Sequence, residues 1–531
     1  MLAGFPYLTY LVLGPIGAAL VVATLPRHRL VAIRTVGAIG VAGTMALAIT
    51  VLVLFKAGIP GYQLATFHRW VPSLGIAWSL GVDGISLFLV LLTVFLVPLA
   101  IYGAPERVNE KGYLAWMLLL EGGCLGAFCA RDVLVFFAFF ELTLVPTYFL
   151  IAGWGEERRA AAATKFFVYT FVASAFMLVG IVALVAIHAS QTGVTTFDIT
   201  ALGATHLSGT AGVLLLLAFT AAFVVKAPVF PFHTWSPDAY AESPAGAAVL
   251  LGGVMAKLGT YGIIRFDLEL FPHATRTLAP LFLTLGVIGI LYGAIVAAVQ
   301  RNLKRLVAYS SLAHMGFIVL GLFALSGEAV SGAVLQMVNH GVYTAGLFLL
   351  IAAIARRTGS VDVGRLSGLQ RTLPVLAACF TVVMLASIGV PGLNGFVGEF
   401  LILAGTFLTH RWWAVVAIVG VILAAVYFLW AYQEAFHGHP TEELEGGGDA
   451  PQSARDLGWR ERAVIAPIIV AIVFLGVYPK PVLDRINPTV DTLVARVALL
   501  GGPDAPPSGP VISGVPVGGP VGPAQSTGAS K

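Results

Sequence analysis

From Tyr7 to Tyr478 the chain repeats one pattern, an apolar run of about 20 residues closed by a short polar break. The runs fall at 7–25, 35–55, 81–102, 113–130, 132–153, 166–187, 211–226, 246–268, 278–299, 306–325, 330–354, 374–408, 412–434 and 463–478, which makes about fourteen. Inside a bilayer no water satisfies the backbone, so a spanning segment must close its own hydrogen bonds as a helix or join a closed barrel. Runs this long select the helix. With 58% hydrophobic and 11% charged residues in 531, the chain is expected to be an all-α polytopic membrane protein. The net charge of +4 gives no reason to expect nucleic acid. Cys124, Cys129 and Cys379 form no CxxC pair, and there is no GxGxxG fingerprint, Walker loop or HExxH. No cofactor and no metal is expected. Lys and Arg gather in the odd-numbered loops, which places those loops in the cytoplasm and both termini outside.

Within this pattern the stretch from Val213 to Phe266 stands apart. An apolar run ends at Lys226, is broken by Pro228, Pro231 and Pro237, and resumes at Ala245 with Lys257 at its middle. A lysine at mid-bilayer costs about 2.5–3.5 kcal/mol on insertion scales. Proline frees backbone carbonyls that only protein or a wet cavity can satisfy. A broken helix with a charge at the break is how transporters build ion sites at mid-membrane. The run 374–408 is interrupted in the same way at Gly389, Pro391, Gly392 and Gly395, with Glu399 just beyond. Glu399 lies 173 positions after Lys226, and His314 lies 173 positions after Glu141, the spacing expected of two structural repeats. With five spans in each half, such repeats are inverted.

Glu141, Lys257, His314 and His340 all fall near the middle of their runs, and Lys226 and Glu399 stand at the two breaks. Six titratable groups at one depth describe a route parallel to the membrane plane. Each has a plainer reading. A lone mid-span histidine is more often a packing residue, and Glu141 with Lys226 could be an ion pair that only fixes helix register. Lys257 has no evident structural purpose. Glu121, in LLLEGGCLG, is also intramembrane, but its small neighbours suggest helix contact. Asp132 and Glu434 stand at span ends, where capping or snorkelling accounts for them. His233, Trp235 and Asp238 are expected to stabilise the unwound segment. Burial favours the neutral form of an acid or an amine and an opposite charge favours the ionised form. A lysine whose glutamate partner moves or is neutralised therefore alternates between holding and releasing a proton, and histidine relays near neutrality. The set can move protons if energy comes from elsewhere.

The stretches FFELTLVPTYFLI, VVKAPVFPFHTWSPDAYAESPAGAAVLLGGVMAKLGTYG, RNLKRLVAYSSLAHMGFIVLG, VNHGVYTAGLFL and PGLNGFVGEFLIL carry a resemblance. They are similar to the antiporter-like M-chain family of bacterial NADH:quinone oxidoreductase, respiratory complex I, which corresponds to mitochondrial subunit 4. The resemblance spans about residues 80 to 440. The broken-helix motif is shared with the L and N chains and with multisubunit sodium/proton antiporters. Glu399 selects the M family, since the sister chains typically carry lysine there, and an L chain would continue into a long lateral helix that this tail cannot form. The resemblance implies fourteen core helices with two inverted five-helix repeats and two discontinuous helices. It also implies that Glu141 and Lys226 form the first-half ion pair, Lys257 is the central lysine, His314 and His340 connect the halves, and Glu399 ends the second.

The domain division that follows is 1–110 for three N-terminal helices, 111–270 and 271–436 for the repeats, and 437–462 for a cytoplasmic loop. A last transmembrane helix and the end of the fold occupy 463–500, and a Gly/Pro-rich tail expected to be disordered occupies 501–531. By resemblance the chain pumps protons in a bacterial cell membrane beside other complex I subunits, which bind NADH and quinone and do the redox chemistry. The alternative is a subunit of a sodium/proton antiporter, for which lysine at position 399 would be expected. A passive scaffold is disfavoured because buried charge costs stability that apolar packing would not.

Overall fold

A computed structural model describes residues 5–103, 108–439 and 455–501. The helices are α1 (Tyr7–Thr24), α2 (Leu30–Leu54), α3 (Ser86–Gly103), α4 (Glu110–Cys129), α5 (Val133–Trp154), α6 (Arg159–Thr192), α7 (Gly209–Lys226) and α8 (Ala245–Leu268). They continue with α9 (Pro272–Ala298), α10 (Leu303–Phe323), α11 (Gly327–Thr358), α12 (Pro374–Ile388), α13 (Asn394–Phe436), α14 (Trp459–Val477) and α15 (Lys480–Leu500). Side chains from the flanking loops start several of them: Asp132 accepts from the amides of Leu134 and Val135, Asn302 from Arg305, and Ser326 from Ala329. The capping role expected of Asp132 is what it performs.

Twelve helices have the length and apolarity to cross a membrane, thirteen with α14 and α15, which form a pair bent by 66°. The apolar pattern predicts about fourteen. The difference lies in α12, only 15 residues long, and in α13, whose 43 residues hold parts of two expected runs. At His410 the backbone of α13 leaves helical geometry, and Thr409 donates to the Ala324 carbonyl at the end of α10. The far end of α13 meets the loop after α11, where the Gly368 amide donates to the His437 carbonyl. The segment therefore turns back on itself at His410 instead of continuing as one rod.

Burial sorts the helices into layers. Nearly every side chain of α8, α10 and α11 is enclosed, while α1, α2, α6 and α13 expose Leu20, Val31, Val53, Val179 and Ile422 in the way a lipid-facing helix must. The centre of the molecule is thus made of α8, α10 and α11, the helices that carry Lys257, His314 and His340. Glycine permits the closest approach. A Cβ on Gly259 of α8 would stand 2.5 Å from the Phe223 carbonyl oxygen and 2.6 Å from the Ala227 amide nitrogen, so the end of α7 lies directly on α8.

Two elements lie outside the expectations. An antiparallel hairpin pairs β1 (Gln63–Val71) with β2 (Ile76–Val82) between α2 and α3, turning through Gly75 at φ +75°. After α14, where the last span is expected to end the fold, α15 follows as an amphipathic helix that buries Val482, Ile486, Val490, Leu493 and Val497. Arg496 of α15 donates to the Gly203 carbonyl, and Arg276 of α9 donates to the Ala498 carbonyl. Most of the expected cytoplasmic loop and all of the tail beyond Gly501 lie outside the described residues.

Candidate functional site: a buried row of charges

Lys226 is the last residue of α7, where the helix dipole favours a cation. The chain then leaves the helix through Pro228 and Pro231 before the short helix Ser236–Glu242. The carbonyl freed at Val225 is taken by the Trp235 indole N–H at 2.9 Å. Asp238 accepts from Lys165 at 2.8 Å and from Arg305 at 3.2 Å, and the His233 ring stacks on Phe230. These three residues hold the break together, as their positions suggest.

Among the described residues no direct ion pair joins Glu141 to Lys226. Lys226 Nζ donates to Thr143 Oγ1 at 2.9 Å and lies 4.6 Å from the centroid of the Phe140 ring. Glu141 is half-buried on the side of Ser174 of α6, and it interacts with Lys226 through space. The reason is helical: residues two apart point to nearly opposite faces, so the face that brings Thr143 to the lysine turns Glu141 toward α6. The regular helix of α5 is also interrupted at Thr143, which separates Val133–Leu142 from Leu144–Trp154.

Lys257 is fully buried. Its turn lies between two π-helical segments, Leu251–Met255 and Ile263–Leu268, and such widened turns are frequent at functional sites. The wide turn leaves the Gly252 carbonyl open to Lys257 Nζ, which also stands 2.5 Å from His340 Nδ1. Beyond it the His340 and His314 rings lie 5.7 Å apart, each about equally close to the Tyr343 ring. His314 Nδ1 reaches Glu399 Oε1 at 2.8 Å, and its Nε2 lies 3.3 Å from Ser387 Oγ. Gln336 Nε2 donates to both Glu399 Oε1 and the Tyr343 hydroxyl at 3.1 Å.

Four of the six expected residues therefore form one row, from Lys257 through His340 and His314 to Glu399. Lys226 and Glu141 form a separate group, and no hydrogen bond or ion pair among the described residues joins Lys226 to Lys257. Glu399 owes its place to the second break. Gly389 closes α12 at φ +83°, and a Cβ there would stand 3.0 Å from Glu399 Oε2. Asn339 and Asn394 exchange hydrogen bonds between side-chain nitrogen and backbone oxygen, fixing the start of α13 against α11.

Sequence reasoning missed Thr143, Gln336, Tyr343 and Ser387, which all touch the charged groups. It also missed a buried cluster at the far end of α8, where Arg265 pairs with Asp83 and lies 3.5 Å from Glu269. Ionisable residues near the end of an apolar run were the available signal for that cluster. The neutral residues offered none, because Thr, Gln and Tyr occur in apolar runs without cost enough to mark them. Among the described residues no three of His, Cys, Asp and Glu converge as a metal ion would require. A row of amine, two imidazoles and a carboxylate has the chemistry that proton exchange needs.

The family model described as NADH:quinone oxidoreductase/Mrp antiporter, TM, matches residues 130–424, which include all six of these residues. NADH-quinone oxidoreductase subunit M of Mycobacterium tuberculosis is 38% identical over 93% of this chain and 94% of its own. The subunit M of Rhodobacter capsulatus is 39% identical over 85% and 88%. A chain of respiratory complex I from Thermus thermophilus superposes with a TM-score of 0.83 at 33% identity, covering 92% of this chain and 99% of that one. The Mrp complex of Dietzia gives 0.77 at 22% identity over 93% and 99%, a likeness of fold alone. With over half its length matched by that family model and 93% of it aligned at 38% identity with a subunit M, the chain belongs to the subunit M family of NADH-quinone oxidoreductase.

Proposed function

We propose that this chain is the proton-translocating, antiporter-like membrane subunit of an NADH:quinone oxidoreductase. In this reading it lies beside other antiporter-like subunits in the bacterial cell membrane, with both termini outside. It carries no redox centre of its own; NADH oxidation and quinone reduction take place in other subunits and drive it. Residues 111–270 and 271–436 act as two inverted five-helix halves, joined through Lys257 and His340.

The observation that carries the reading is the contact row Lys257–His340–His314–Glu399 through the most enclosed helices of the molecule. The Lys257 ammonium donates toward His340 Nδ1, so it gives up its proton along an existing hydrogen bond. Two imidazoles 5.7 Å apart repel one another when both are charged, so a proton arriving on His340 favours release from His314. His314 Nδ1 faces Glu399 Oε1, the receiving atom. Gln336 holds that oxygen in place and leaves Oε2 directed toward Gly389 and the break.

The experiment is NADH-driven acidification of inverted vesicles bearing the assembled complex, read by quenching of a pH dye. Glu399→Gln keeps shape and hydrogen bonding but cannot take up a proton. It is expected to abolish pumping, while Glu399→Asp retains a part. Pumping at the wild-type rate in Glu399→Gln would remove Glu399 from the route.

A further inference from the structure

A neutral imidazole passes a proton along by taking it at one ring nitrogen and giving it up at the other. His314 Nδ1 stands 2.8 Å from Glu399 Oε1, so that nitrogen is the giving side. Uptake then falls to Nε2. His340, the preceding member of the row, makes no hydrogen bond to it. His340 Nδ1 is engaged by Lys257, and its Nε2 has no partner among the described residues. The group that does stand at His314 Nε2 is the hydroxyl of Ser387, 3.3 Å away.

Ser387 is 1% exposed and lies in the last turn of α12. Inside a helix, serine and threonine commonly turn the hydroxyl back to a carbonyl of the preceding turn. Thr93, Thr170, Thr220 and, in α12 itself, Thr381 all do so. Ser387 does not; its one side-chain hydrogen bond among the described residues is the one to His314. The second break fixes it there. The Gly389 amide donates to the Ala386 carbonyl and the Val390 amide to the Leu385 carbonyl, which closes α12 around Ser387. Gly395, at the start of α13, has no room for a Cβ against that same Ala386 carbonyl. The end of α12 and the start of α13 are thereby held together, and they present Ser387 and Glu399 to the two nitrogens of one imidazole.

We propose that the Ser387 hydroxyl is the group through which His314 takes up its proton, which makes Ser387 a catalytic residue of the transfer. In the resting ring the N–H is on Nδ1 and donates to the Glu399 carboxylate, while Nε2 accepts from Ser387. In the transfer, the O–H bond of Ser387 breaks as an N–H bond forms at Nε2. The Nδ1–H bond breaks as an O–H bond forms on Glu399. In the same step the serine oxygen takes a proton from the His340 side, where a ring 5.7 Å from that of His314 carries the unpartnered Nε2. One proton enters, one leaves, and the hydroxyl is restored. A hydroxyl serves both stages, because it donates to a bare Nε2 and accepts from a protonated one. The inference rests on the proposed pumping function and deepens it.

The test is NADH-driven acidification by the assembled complex in inverted vesicles, with Lys257→Ala measured in parallel. Ser387→Ala removes only the hydroxyl and is expected to lower the rate about tenfold or more, while Ser387→Thr keeps most of it. Ser387→Val has the shape of the Thr variant without its hydroxyl and is expected to fall with Ser387→Ala. Wild-type acidification in Ser387→Ala, alongside a silent Lys257→Ala, overturns the role of Ser387 and leaves the function standing. Wild-type acidification in Lys257→Ala overturns the function itself. Should Ser387→Ala not assemble, the Thr and Val variants decide, since they differ only in hydroxyl against methyl. A Thr variant about tenfold or more faster than Val supports the step, and equal rates overturn it.

Discussion

At the scale of single residues, Lys226 shows how a buried charge is held without its opposite. Its ammonium has the Thr143 hydroxyl, the face of the Phe140 ring and the negative end of α7, while Glu141 acts from a distance. Thr143→Val removes the one hydrogen-bond acceptor and leaves the donor unsatisfied, at a cost of about 1–3 kcal/mol. The variant is expected to slow pumping and lower the melting temperature of the isolated complex, with Thr143→Ser close to wild type in both. Equal behaviour of the Val and Ser variants would show that Thr143 does not hold the lysine. The six charged groups were legible in the sequence because each is expensive in a bilayer. Thr143, Gln336 and Tyr343 were not, because neutral polar residues cost little and helical phase alone decides what they touch. The same phase explains why an ion pair between Glu141 and Lys226 looks natural in the sequence and is absent in the structure.

At the scale of elements, the two breaks place the charged residues. The first uses proline and is closed by Trp235, and the second uses glycine, with Gly389 in the left-handed region and no room for a Cβ beside Glu399. An alanine in that conformation costs about 1–2 kcal/mol. Gly389→Ala is therefore expected to weaken the turn and displace the Glu399 carboxylate, reducing pumping while the complex still assembles on a native gel. Full pumping in the assembled Gly389→Ala complex would mean that this turn does not position Glu399. Both breaks were readable, since clustered Pro and Gly inside an apolar run interrupt the helix wherever they fall. Other elements were masked by their setting. In the hairpin Gln63–Val82 only the second strand alternates large with small residues (Ile76, Trp78, Leu80, Val82), and it lies between two long apolar runs that draw the reading. In α15 the apolar residues Val482, Ile486, Val490, Leu493 and Val497 follow helical spacing, yet Pro488 inside the helix and the nearby Gly/Pro-rich tail make the stretch look like the end of the fold. The polar stretch Thr409–Arg411, which separates the expected runs 374–408 and 412–434, is where the chain turns inside α13.

At the scale of the whole molecule, the most enclosed helices are the ones that carry charge. A fold built only to occupy the membrane would place its apolar residues there and leave polar groups for the loops. Here α8, α10 and α11 bring Lys257, His314 and His340 together, and outer helices screen them from lipid. Lys257 is the hinge of the arrangement, since it starts the contact row. Its replacement should break the route without disturbing the outer surface that neighbouring subunits meet. The decisive measurement is NADH oxidation and dye quenching, taken together, on vesicles carrying the Lys257→Ala complex whose assembly is verified by native gel. The account predicts no NADH-driven acidification and a strongly reduced rate of NADH oxidation by quinone, because a coupled machine stalls when a transfer step is removed. Wild-type acidification by the correctly assembled Lys257→Ala complex would contradict it.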